Sequence, residues 1–132
     1  MNELIDRKYE LIKFEDGDFS LDVNVSPKED TVWLTQKQMA DLYDVDRTRI
    51  TRHINNILED KELDIESNVR KTHFPNSDKL VHIYNLDMVL AVGYRVNSKR
   101  GIMFRRWANS ILKQYLMKGY VINENNCIIH LN

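Results

Sequence analysis

Arg47, Thr48, Arg49, Arg52 and Asn55 stand within nine residues of one another, with no carboxylate between Asp46 and Glu59. Arginine and asparagine carry planar, forked donors and acceptors that match guanine and adenine edges in the major groove of a duplex. Ile50, Ile54, Ile57 and Leu58 recur at helical spacing in the same stretch. At about 100° per residue, these four apolar side chains fall within roughly 100° of arc, and Arg52 points almost opposite their centre. Thr48, Thr51, Asn55 and Asn56 flank it. The pattern predicts a helix that buries one stripe and offers a nucleic-acid-reading face on the other. Thr48, Arg49, Arg52 and Asn55 are expected to read bases. Arg47, at the helix start, is expected to hold phosphate, because recognition helices work through their first turns.

Such a helix needs a partner to fix its angle, and the preceding residues supply one. Residues 35–43 place Met39, Ala40, Leu42 and Tyr43 for a short amphipathic helix, with Thr35 as its cap. Asp44 stands where a helix-turn-helix needs a positive φ; glycine is the usual occupant, and aspartate is among the few others that tolerate it. Val45 returns to the core and Asp46 is the expected cap of the second helix.

Before this pair, residues 9–14 and 19–25 alternate apolar and polar around Asp16-Gly17, a strong hairpin signal. Residues 31–34 read as a third strand, with Trp33 in the core. After the pair, residues 69–74 and 80–84 form two strand-like runs joined by turn formers, the arrangement of a wing; Leu63, Ile65 and Val69 are the expected anchors of the intervening link. Lys71 and Lys79 on this hairpin are expected phosphate contacts, beside Arg70. Asn85 caps a nearly continuous apolar helix, and residues 102–118 form the strongest helical stripe, stopped by Gly119. Arg95, Lys99, Arg100, Arg105 and Arg106 cluster between these two helices. Cations at a helix N-terminus oppose its dipole, so Lys99, Arg100 and Arg105 are further expected phosphate ligands. Residues 120–122 and 127–131 are short apolar runs that would pair with a strand of the same chain or of a second copy.

Composition bounds the answer. The 132 residues carry a net charge of -1, unevenly spread: residues 1–64 hold 9 Lys/Arg against 16 Asp/Glu, and residues 65–132 hold 10 against 4. The acidic first hairpin argues against its touching DNA, and the basic second half argues for a positive footprint. Cys127 is the only cysteine, which excludes an intrachain disulfide and a cysteine-rich zinc site. His73 and His82 could face each other across the second hairpin, but two histidines rarely make a metal site. No cofactor is expected. No glycine-rich phosphate loop, nucleophile pair or carboxylate cluster stands out, so the chain does not read as an enzyme. No apolar run reaches the roughly 20 residues of a membrane span, and the first residues lack a signal peptide's apolar stretch, so cytoplasmic residence is the expectation.

The stretch WLTQKQMADLYDVDRTRITRHINNILEDKELD, followed by YNLDMVLAVGYRVNSKRGIMFRRWANSILKQYLMKGYVIN, closely resembles the virulence RhuM family over roughly residues 30–123. That bacterial group occurs in pathogenicity islands and mobile elements and is loosely related to phage antirepressor N-terminal domains of the Bro-N and KilA-N kind. The resemblance implies a helix-turn-helix DNA-binding module of a transcriptional regulator. Its members are often longer, which implies an isolated N-terminal module or a short form. Asp44 departs from the glycine common at such turns. The expected architecture is α+β: a helix-turn-helix core, an N-terminal β-hairpin, a second wing-like hairpin and a long C-terminal helix. Residues 1–34 are expected to pack as a hairpin unit on a winged domain of residues 35–132, in one globular whole. The expected partners are double-stranded DNA and a second copy of the chain. The alternative is an antirepressor-like module that grips a repressor or other protein without touching DNA.

Overall fold

In the computed structural model, residues 9–73, 79–118, 120–122 and 128–130 are described. The chain is α+β and divides into two compact units, Met1–Val32 with Met103–Asn132, and Trp33–Ile102.

In the first unit, β1 (Glu10–Asp16) and β2 (Phe19–Ser26) form an antiparallel hairpin in unbroken register from Glu10↔Val25 to Asp16↔Phe19. The two-residue loop begins at Gly17, whose φ of 63° is the positive value a tight hairpin turn demands. Alternation works as expected: Ile12, Phe14, Val23 and Val25 are buried, while Leu11, Lys13 and Glu15 between them are exposed. A lone hairpin is marginal in water. Here its apolar face has aromatic cover from the helix α5 (Lys99–Lys118): the Phe14 ring stands edge-on to Phe104 at 5.3 Å and to Trp107 at 5.5 Å. Phe104, Ala108, Ile111, Leu112 and Tyr115 make the buried stripe of that helix. After it, β6 (Tyr120–Ile122) pairs with β7 (Ile128–His130), so the two terminal runs pair within one chain. Gly119 and Cys127 lie outside the described residues.

The strand β3 (Thr31–Leu34) carries the chain into the second unit, where it pairs antiparallel with β5 (Leu80–Asn85). The helices α1 (Gln36–Tyr43) and α2 (Arg47–Glu59) follow and pack on each other, and α2 also packs on α4 (Leu86–Arg95). A four-residue helix, α3 (Ile65–Asn68), capped by the Asp64 carboxylate on the Ser67 amide, leads into β4 (Val69–His73). Of the three anchors expected in this link, Leu63 and Val69 are half-buried but Ile65 is exposed. A single turn of helix has no full face to bury. β4 and β5 form the expected second hairpin; its turn, residues 74–78, lies outside the described set.

Among the described residues, three non-glycine residues end α-helices in the left-handed region, Asp44 after α1, Lys61 after α2 and Asn97 after α4, with φ of 55°, 60° and 57°, and Asp30 (φ 55°) ends a short 3-10 turn, Pro27–Glu29. After α4, the Ser98 amide donates to the Gly93 carbonyl and the Asn97 amide to that of Tyr94, both at 3.1 Å, which satisfies carbonyls that the helix end would orphan. A close approach lies beside it. The Tyr43 hydroxyl donates to the Val89 carbonyl at 2.6 Å, and a Cβ at Gly93 would stand 2.6 Å from that same oxygen. The hydrogen bond prevents the ring from retreating. Gly93→Ala is therefore expected to destabilise the chain by about 1–3 kcal/mol through overpacking, read from urea denaturation midpoints.

Candidate nucleic-acid interface

The helix-turn-helix is built from local bonds that the sequence encodes. Thr35 and Gln38 form a reciprocal capping box: the Gln38 amide donates to Thr35 Oγ1 at 3.1 Å, and the Thr35 amide to Gln38 Oε1 at 2.9 Å. Asp44 (φ 55°, ψ 50°) turns the chain as expected, and its amide and that of Val45 both reach the Ala40 carbonyl. Asp46 occupies the cap position of α2, but its side chain makes no capping bond. Its backbone carbonyl accepts from Arg49 and Ile50 instead, at 3.0 and 3.2 Å. No acidic residue stands in the first turn of α2, which therefore opens with cations at the positive end of its dipole.

The faces of α2 divide as the spacing predicts. Ile50, Ile54 and Ile57 are buried and Leu58 is half-buried, while Arg47, Thr48, Arg49, Arg52 and Asn55 are all exposed. Thr48, Thr51, Arg52, Asn55 and Asn56 line a shallow polar groove along the outward side. Among the described residues, no carboxylate lines it.

A chain of hydrogen bonds holds this helix in place. Thr51 Oγ1 donates to Gln36 Oε1 at 2.7 Å, and Gln36 Nε2 donates to the Tyr84 hydroxyl at 2.9 Å. Thr51 belongs to α2, Gln36 to the first turn of α1 and Tyr84 to β5 of the second hairpin, so one amide side chain ties all three elements together. Sequence reasoning missed Gln36, because nothing in its local pattern marks a partner 48 residues away.

The expected phosphate ligands separate. Lys71 and Lys79 are exposed on the second hairpin, and the Arg70 guanidinium instead lies over the Trp33 ring, 4.1 Å from its centroid. Lys99 is exposed. Arg100 is half-buried and donates to the Leu42 carbonyl at 3.1 Å. That carbonyl belongs to the last turn of α1, where a cation is favourable, so the fold itself accounts for this charge. Arg95 likewise pairs with Glu62 at 2.9 Å and Asp60 at 3.3 Å. Arg105 is exposed and belongs to the other compact unit.

His73 and His82 are not partners across the hairpin. The register sets His73 against Leu80 and His82 against Lys71, so the two rings share a face but sit diagonally. Among the described residues, no group of three His, Cys, Asp or Glu is arranged to hold a metal.

His53 lies on the flank of α2, half-buried, with its Nε2 shut off from solvent and without a hydrogen-bond partner among the described residues. Burial, and then the charges of Arg52, Arg49 and Arg95, hold its imidazole below the ordinary histidine range. The unfolded chain thus takes up this proton first as pH falls, so stability is lost from the ordinary histidine pKa down through the lower folded one. His53→Gln is expected to flatten that loss between pH 7 and pH 5, measured from denaturant midpoints. A second test addresses the hydrogen-bond chain. Gln36→Ala and Thr51→Ala should each destabilise by about 1 kcal/mol, and the double variant by less than their sum, in a double-mutant cycle.

No curated protein and no solved structure is similar enough to match this chain. Among the described residues, no helix is long and apolar enough to cross a membrane. The model of the virulence protein RhuM family matches residues 55–128, from the middle of α2 to the first residue of β7. That is more than half of the 132 residues, and it takes in the second hairpin, α4 and nearly all that follows, so the chain belongs to the virulence protein RhuM family.

Proposed function

We propose that the chain is a sequence-specific DNA-binding module of a transcriptional regulator, working as a homodimer, with α2 as the recognition helix and the β4/β5 hairpin as a wing. One observation carries this reading: Thr48, Arg49, Arg52 and Asn55 project from α2 on the side opposite the buried Ile50, Ile54 and Ile57. Two further facts support it. The outward groove contains donors and acceptors but no carboxylate that would repel a duplex. The first turn of α2 carries Arg47 and Arg49 against its own dipole, a local cost that an anionic partner offsets. Arg47, Lys71, Lys79 and Lys99 would hold phosphates in this reading. Arg100 contributes mainly by fixing the end of α1. Arg105 lies in the other unit and is not assigned to this surface.

The competing reading is an antirepressor-like module that binds protein. It draws on the exposed acidic residues Glu15, Asp18 and Asp22 of the first hairpin and on Tyr94, which is 87% exposed. Arg52→Ala is expected to cost about 1–3 kcal/mol on a duplex selected from a random pool and little on unselected DNA. Lys99→Ala should weaken binding to both alike and lower the salt slope by about one. Equal losses on both duplexes for Arg52→Ala would remove base reading. Undetectable DNA binding alongside a stable protein partner would favour the second reading.

A further inference from the structure

A cleft lies between the first turn of α1 and strand β5, lined among others by Gln36, Lys37, Arg47, Lys79, Leu80 and His82. Its polar walls come from three elements that the Thr51–Gln36–Tyr84 hydrogen bonds already hold together. Among the described residues, no carboxylate lines it. Lys37 lies 3.5 Å from Asp41, an exposed pair one helical turn further along α1 that leaves the ammonium at the rim. Arg47 enters from the first turn of α2. The exposed Lys79 precedes the strand, and Leu80, 50% exposed, offers an apolar lip. His82 is exposed, stands opposite Lys71 of β4 in the hairpin register, and has the Tyr84 ring 6.5 Å away. The titratable and charged groups around it are Lys37, Arg47 and Lys79 of the cleft lining, Lys71 and His73 on the same face of the hairpin, and the phenol of Tyr84.

Such a site suits an anion with an apolar flank, which describes a phosphodiester and its sugar. Imidazole is the side chain whose ordinary titration falls between pH 5 and 8. An anion seated beside the imidazole favours its charged form. Resting on the DNA-binding reading, we propose that this cleft seats one backbone phosphate of the duplex and that His82 takes up a proton as it does so. Binding is then tighter in acid than in base, and the extra hold is sequence-independent.

The test uses the full chain, a pool-selected duplex and a random duplex, with the dissociation constant measured against salt at pH 6 and pH 8. Each neutralised phosphate adds about 0.9 to the slope of log K against log salt. For the wild type, the slope should be steeper at pH 6 by up to about that much on both duplexes, with affinity several-fold higher at fixed salt. His82→Gln should show the same slope at both pH values, whereas His73→Gln and His53→Gln keep the difference. Circular dichroism confirms that each variant is folded. His82 is exposed, so its replacement leaves the core intact. A pH difference that survives His82→Gln, or that vanishes in His73→Gln instead, overturns this assignment. In either case selective binding that depends on Arg52 leaves the DNA-binding reading standing. A wild-type chain that binds neither duplex at either pH overturns both.

Discussion

The second unit depends on how closely α1 can approach α4, and that is set by one buried phenol lying against one glycine. The Tyr43 hydroxyl gives its proton to the Val89 carbonyl, and Gly93 leaves the ring the space it occupies. Burial pushes the Tyr43 phenol well above the ordinary tyrosine range, so it stays a donor at any physiological pH. Arg100 secures the same end of α1 from the other side by capping the Leu42 carbonyl. With the end of α1 fixed, Asp44 in the left-handed region sets the direction in which the chain leaves, and the angle of α2 follows.

The opposite end of α1 is secured by different chemistry. Thr35 and Gln38 cap it reciprocally, while Gln36 spans from Thr51 to Tyr84. Side-chain hydrogen bonds of this kind contribute only about 1 kcal/mol each, but they are directional and so fix the orientation of α2. Ile50, Ile54 and Ile57 supply the non-directional part through burial. On the outward face, Thr51 makes the bond to Gln36 while Thr48, Arg52 and Asn55 are exposed.

The basic cluster expected between α4 and α5 is divided by the fold. Arg95 pairs with Glu62 and Asp60, Arg100 caps α1, and Lys99 stays exposed. Arg105 and Arg106 are exposed as well, so two of the five charges of the cluster have a structural partner, because an ion pair or an orphan carbonyl can be supplied from dozens of residues away. The acidic first half is divided in the same way: Asp60 and Glu62 hold Arg95, Asp64 caps α3, and Asp44 supplies a turn.

The sequence by itself determined what depends on neighbours within a turn or a hairpin. The Ile50/Ile54/Ile57 stripe, the Thr35 and Asn85 caps, the positive φ at Asp44 and Gly17, and the alternation of β1 and β2 were all legible, because periodicity and φ preference act over a few residues. Membership of the RhuM family was legible in the same way, from paired runs of residues. Tertiary structure alone decided which polar groups were spent inside the molecule. It set the Gln36 bridge, diverted Arg70 onto Trp33 and Arg100 onto Leu42, placed His73 and His82 diagonally, and left the Asp46 carboxylate out of the cap. Apart from the local outcome at Asp46, each of these turns on a distance of a few ångströms between residues separated along the chain, and such long-range contacts have no sequence period through which the distance could be read.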